Sequence, residues 1–201
     1  MREIIGVAHS GKLVQDAIIN YLASQHPNLE SLMLEVPENW EDDVAGCLMN
    51  PFFIDIGDEL ANYDIDVIAG DRKYWDIYGG YNKVLKKGQP LLDAPMPKSF
   101  QDSLRLESKL VAFKLWGNTK RNLGYFTGKT VTQRNQDMAE VAMQYDPDVV
   151  VVGMEHASYL KKKVFPEVKL VFITEKYSLT YAALFTILQL STPDQIYEVR
   201  T

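Results

Sequence analysis

Several short stretches of this chain are apolar over runs of neighbouring positions, without the polar–apolar alternation of a strand that has one face in water. They are EIIGVA (3–8), LESLMLEV (29–36), YDIDVIAG (63–70) and DVVVVG (148–153), with VKLVFIT (168–174) a fifth. A strand of this kind needs cover on both faces. Parallel sheets supply it, because each crossover connection lays a helix against the sheet.

The intervening segments carry helical spacing. Ser10 is placed to cap GKLVQDAIINYLASQ, where Leu13, Ala17, Ile18 and Leu22 recur on one face. PFFIDIGDELANY opens with Pro51 at a favoured first-turn position, and TQRNQDMAEVAMQY sets Met138, Val141, Ala142 and Tyr145 together. SFQDSLRLESKLVAFKLW (99–116) is also helix-like, and YAALFTILQL (181–190) reads as a buried helix too short to cross a bilayer. Strands alternating with helices predict an α/β fold, with a central, mostly parallel sheet flanked by helices. No strand pattern occurs between 71 and 147, so that region is read as a helical insertion, with KKGQPLLDAPMPKS (86–99) as its main loop. A chain of 201 residues suits a single domain over 1–201.

A net charge of −6 argues against a nucleic-acid surface, and the one dense basic run, KKK at 161–163, reads as a solvated helix face. A single cysteine, Cys47, forms no internal disulfide and reads as a small buried apolar group. The opening MREIIGVAHS runs directly into a strand with no signal peptide, so the expectation is a cytoplasmic protein without a membrane span.

The residues just beyond each strand suggest function. The first strand runs through Gly6 to His9, and the late one through Gly153 to His156. Two of only three histidines thus share a Gly-x-x-His spelling about 150 residues apart. Glu35 ends the second run, and Gly70, Asp71 and Arg72 end the third. Ligands of open parallel sheets bind beyond the carboxyl ends of the strands. If these strands are parallel neighbours, imidazoles, carboxylates and a guanidinium meet on one edge, a composition suited to hydrolytic or metal chemistry. The glycines are expected to free the backbone there. Two imidazoles and a carboxylate suit a divalent metal with an open position for water, so His9, His156 and Glu35 are candidate ligands. Without metal, Glu35 is a candidate general base toward a water that a histidine orients. Blander readings exist for each residue. A strand-end histidine is often only hydrogen-bonded locally, Glu35 suits a turn, and Asp71 and Arg72 suit an ion pair or a cap. His26, before Pro27, reads as a helix-end histidine with no chemistry. Tyr74, Tyr78 and Tyr81 fall at helical spacing and are read first as a packed face, second as a ligand-facing wall.

Paired Gly-x-x-His motifs, one early and one late, resemble the TraB / Tiki / ChaN / erythromycin-esterase superfamily, and the TraB–PrgY branch most. GVAHS resembles its opening motif, LMLEVPENW its glutamate-bearing strand and VIAGDRKY its Gly-Asp-Arg motif. QRNQDMAE resembles its Glu-Arg-Asp-x-x-Met-Ala segment, and VVVVGMEHASYLKKKV its late strand. These blocks are collinear over residues 4 to 164. Gln133 stands where the family tends to have glutamate, and Asn135 where it tends to have aspartate. The resemblance implies a metal-dependent or metal-assisted hydrolase acting on a peptide or ester. His9, Glu35 and His156 would form its reactive core, and Arg72 and Arg134 would bind an anionic group or a developing oxyanion, with Asp71 and Tyr74 beside them. Part of the superfamily binds ligands, haem among them. A non-catalytic binder of a peptide, haem or small molecule, holding it against Tyr74, Trp75 and Tyr78, is therefore the second expectation. A degenerate member acting as an assembly module, a homo-oligomer included, is the third.

Overall fold

The computed structural model describes residues 1–7, 12–38, 40, 51–72, 121–174 and 191–199. Its six strands are β1 (Glu3–Val7), β2 (Ser31–Leu34), β3 (Asp66–Ala69), β4 (Val149–Gly153), β5 (Lys169–Thr174) and β6 (Gln195–Glu198). They form one sheet in the order β3-β2-β4-β1-β5-β6, and every pairing is parallel. The α/β expectation holds. The helices are α1 (Lys12–Gln25), α2 (Pro51–Leu60), α3 (Arg121–Tyr145) and α4 (Met154–Lys163), with a 3-10 turn, Ala61–Tyr63, closing α2.

The unalternating runs have the physical cause expected of them. Ile5 and Val7 of β1, Leu32 and Leu34 of β2, and Val149 and Val151 of β4 face a core shared with α1 and α2. Their neighbours Ile4, Met33, Val150 and Val152 face a second core shared with α3 and α4. Each strand is therefore apolar on both faces. A fully buried aliphatic side chain contributes roughly 1.5–3 kcal/mol, which makes the two cores the main source of stability.

Two helix faces differ from the sequence reading. In α1 the buried stripe is Val14, Ile18, Tyr21 and Leu22, while Leu13 is 42% exposed, being one residue and about 100° out of phase with Val14. In α3, Met138, Val141 and Ala142 are buried as expected, but Tyr145 is 51% exposed, at the last position of the helix. Strand β6 has no counterpart in the sequence reading. It is four exposed residues, tied to β5 because Asp194 accepts the Leu170 amide at 2.7 Å and pairs with Lys161 at 3.2 Å. Of the basic run, Lys162 and Lys163 are exposed as expected. The Ser10 cap, Cys47, the loop at 86–99 and the helical patterns at 99–116 and 181–190 lie outside the described residues. No helix among the described residues is long and apolar enough to cross a membrane.

The topology brings together the strands that matter. β1 and β4, the two Gly-x-x-His strands, are hydrogen-bonded neighbours, with Val7 opposite Gly153. β2 lies on the other side of β4, with Leu34 opposite Val151, and β3 beyond it, with Ala69 opposite Leu34. The carboxyl ends of β1, β2, β3 and β4 are thus contiguous along one edge. The chain reverses direction here, since β4 enters the sheet between β1 and β2; such switch points are where open α/β sheets place ligands.

Candidate functional site

Glu35 comes directly after β2 and is 4% exposed, so its carboxylate has to be satisfied by protein groups. One oxygen, Oε2, accepts the Gly153 amide at 2.7 Å, at the start of α4, where a helix favours negative charge. The other, Oε1, accepts Arg134 at 2.6 Å. Arg134 also donates to Asp71 Oδ2, through Nε at 2.8 Å, so one guanidinium joins the carboxylates at the ends of β2 and β3.

The Gly-x-x-His spacing acquires a physical meaning at the end of β4. Gly153 is the residue before α4, and His156 lies three positions on, in the first turn. Side chains of a helix lean toward its N-terminus, so the ring tilts back over the strand end. His156 Nε2 is 3.4 Å from Glu35 Oε1, and Nδ1 is 2.6 Å from Asn135 Oδ1. Residues from α3 and α4 and from the ends of β2 and β3 therefore meet at one place. Of the candidate site residues, Glu35, Asp71, Arg134 and His156 are brought together.

The glycines act differently from expectation. Gly153 has φ −56° and ψ 148°, a conformation open to any residue, and no described glycine has positive φ. At Gly6 and Gly70 the constraint is proximity instead. A Cβ on Gly6 would come within 2.4 Å of the Phe172 ring, and one on Gly70 within 2.6 Å of the Leu34 carbonyl oxygen. Gly70 allows the end of β3 to lie against the end of β2, which carries Asp71 toward Arg134.

Arg72 occupies a neighbouring position. It donates to Gln144 at 3.3 Å and lies 3.9 Å from the buried Asp137, one turn along α3 from Arg134. Burial pushes the Asp71 carboxyl above its ordinary value, against the opposing attraction of Arg134. Asp71 Oδ1 and Arg72 Nε are buried with no hydrogen-bond partner among the described residues. His9 and Tyr74 lie outside the described residues, as do Trp75 and Tyr78.

Asn135 is a site residue that the sequence reading misses. The signal available in the sequence is that Asn135 adjoins Arg134 on α3. His26, the third histidine, ends α1 as expected, its amide bonded to the Leu22 carbonyl. Its ring, however, sits 2.9 Å from Glu3 Oε2 at the opposite edge of the sheet.

The divalent metal implied by the resemblance can be tested against these donors. Glu35 already gives one oxygen to an arginine and the other to an amide, and the Arg134 guanidinium lies where a cation would have to bridge Glu35 and Asp71. No cluster of three or more His, Cys, Asp or Glu suited to a metal occurs among the described residues. Both oxygens of Glu35 are committed to protein donors, and His9, the third candidate ligand, lies outside the described residues.

No family model matches the chain, and no curated protein matches it. Among solved structures, the chain is similar to an erythromycin esterase mutant in its open conformation. The identity is 11%, the match covers 87% of this chain and 70% of that one, and the TM-score is 0.44.

Proposed function

We propose that the protein is a hydrolase of ester or amide bonds, with Glu35 and His156 as its acid–base pair. One observation carries this reading. A buried carboxylate, fixed by Arg134 and the Gly153 amide, faces an imidazole nitrogen at 3.4 Å on the ligand-binding edge of a parallel sheet. A carboxylate beside an imidazole can take a proton from water and return it. In the reaction, the pair removes one proton from a water molecule and the hydroxide oxygen bonds to the substrate carbonyl carbon. The carbon–oxygen or carbon–nitrogen bond then breaks, and the leaving atom takes up the proton. The products are a carboxylic acid and an alcohol or amine, with no other reactant. Arg134 commits its guanidinium to Glu35 and Asp71, so we assign it to holding the carboxylates rather than to binding an anionic substrate. His9 enters as the second imidazole through its place just beyond β1 and through the resemblance to the TraB–PrgY branch, which also supplies peptides as a candidate substrate class.

The test is turnover of a panel of activated esters and short peptides, with and without a chelator. Wild-type protein should hydrolyse at least one member, and Glu35→Gln and His156→Ala should each lower kcat by about 10²–10⁴-fold, the usual contribution of positioned acid–base groups. Activity should survive the chelator. Loss on chelation that is restored by a divalent ion would replace this proton-transfer form by the metal-assisted one. A wild-type protein that turns over nothing, or variants as active as wild type, would remove the hydrolase reading.

A further inference from the structure

We infer that Asn135 is the positioning residue of this site: it holds the proton of His156 on Nδ1 and so presents Nε2, on the Glu35 side, as the nitrogen that accepts a proton. What the accepted proton is used for rests on the hydrolase reading above. Which nitrogen accepts it does not.

Asn135 Oδ1 and His156 Nδ1 are 2.6 Å apart, with Asn135 6% exposed and His156 7%. An amide oxygen can only accept, so the ring nitrogen facing it donates. A neutral imidazole carries one N–H, and placing it on Nδ1 leaves Nε2 with its lone pair. The other side of the ring agrees. Nε2 faces Glu35 Oε1 at 3.4 Å, so a proton accepted there points at a carboxylate. When Nε2 takes a proton, the new N–H faces the Glu35 carboxylate and the resulting cation is stabilised there. This division of labour is that of hydrolytic triads, in which a third group fixes the tautomer and orientation of the histidine, and in papain-like proteases that group is an asparagine.

The residue type matters as well as the place. The motif that α3 resembles has aspartate where this chain has Asn135. An aspartate would accept the same hydrogen bond and add a second negative charge against the ring, opposite Glu35. Asparagine keeps the acceptor and omits the charge. The alternative is an amide turned through 180°, whose NH₂ would donate to Nδ1 and leave the proton on Nε2. The two arrangements make opposite assignments of one proton, so a measurement separates them.

That measurement is long-range proton–nitrogen correlation on protein labelled with [¹⁵N]histidine. His9, His26 and His156 are assigned by replacing each with Gln, and spectra are taken at the alkaline end of a pH series, where the ring shifts have stopped changing. We expect His156 to show a protonated Nδ1 and an unprotonated Nε2, the reverse of the tautomer that imidazole favours in water. A His156 with its proton on Nε2, or divided between the two nitrogens, overturns the inference whatever the activity. Asn135→Leu should lose the Nδ1–H preference and lower kcat by about 10²-fold, the lower end of a positioned base's contribution. Asn135→Asp, which keeps an acceptor, should restore the tautomer. If Asn135→Leu folds and His156 keeps Nδ1–H, Asn135 is not the cause; if Asn135→Leu fails to fold, the wild-type spectrum and Asn135→Asp still decide. A wild-type protein with the expected tautomer and no turnover would remove the hydrolase reading alone.

Discussion

Among the described residues, two glutamates are buried beside histidines, at opposite edges of the same sheet. Glu3 starts β1 at the amino edge and is 3% exposed. Its Oε1 accepts Tyr21 at 3.2 Å and Lys169 at 2.8 Å, and its Oε2 faces His26 at 2.9 Å. Every contact has hydrogen-bond geometry, and both oxygens are used. Glu35, at the carboxyl edge, also has both oxygens used, by Arg134 at 2.6 Å and the Gly153 amide at 2.7 Å, and the difference lies in its neighbours. His156 Nε2 stands 3.4 Å from its Oε1, and the neighbouring Asp71 Oδ1 and Arg72 Nε are buried without a hydrogen-bond partner among the described residues. Buried polar atoms are nearly always satisfied, and those that are not call for an explanation such as chemistry. Residue type therefore does not separate a structural glutamate–histidine pair from a reactive one. Saturation does.

The sharpest test of that contrast removes the cation shared by the carboxyl-edge pair. Arg134→Met leaves Glu35 and Asp71 as buried carboxylates without their common partner, and breaking a buried pair in this way costs about 3–5 kcal/mol. Urea denaturation of wild type and variant gives the difference directly. A loss below about 1 kcal/mol, the scale of exposed ion pairs, would mean that the edge is solvated and the contrast with Glu3 is false.

At the amino edge the expectation is smaller and of another kind. Glu3→Gln keeps one acceptor oxygen but turns an NH₂ toward a former donor, at a cost of about 1–3 kcal/mol for the groups left unpaired. Activity per folded molecule should be unchanged. Thermal unfolding combined with any assay that Glu35→Gln abolishes tests both parts together. If Glu3→Gln loses turnover in proportion to Glu35→Gln, the two edges are coupled and saturation is not the criterion.

How far this difference is legible in the sequence depends on what decides each feature. The sheet is legible, because burial on both faces leaves unalternating runs such as VVVV at 149–152. The edge strand β6 is not, because its four residues are exposed and form no apolar run, though backbone pairing with β5 and the Asp194 contacts hold it in the sheet. Glu35, Asp71 and His156 can be placed because each lies just beyond a strand, and strand ends in a parallel sheet point the same way. Arg134 is suggested only by the resemblance of QRNQDMAE to a family segment, since spacing along a helix 99 residues from Glu35 says nothing about which strand end it reaches. His26 reads as inert at a helix end. Its ring contact with Glu3 depends on where α1 docks, which only the tertiary structure fixes. The glycines stand out in the sequence, but their cause does not: what they relieve is contact with Phe172 and Leu34, on other strands, and not a strained φ.

The smallest effect concerns Asp71, and its sign decides to which edge this carboxyl belongs. Burial raises its folded-state value above the ordinary 3.8, and Arg134 opposes that without overcoming it. A carboxyl held high in the folded state binds its proton more tightly folded than unfolded. Its stabilising contribution is complete below about 3.8 and is lost as pH rises through the folded value. Asp71→Asn cannot titrate and has no such loss. The stability of wild type minus that of Asp71→Asn should therefore fall as pH climbs from about 3.8, then level off once Asp71 is ionised in both states. Denaturant midpoints measured for both proteins across acid to neutral pH give the slope, with the constant cost of losing the Arg134 bond cancelling from it. A difference that grows with pH would mean that Arg134 outweighs burial. Asp71 would then be a saturated ion-pair partner like Glu3, and its unpartnered oxygen would no longer mark a reactive edge.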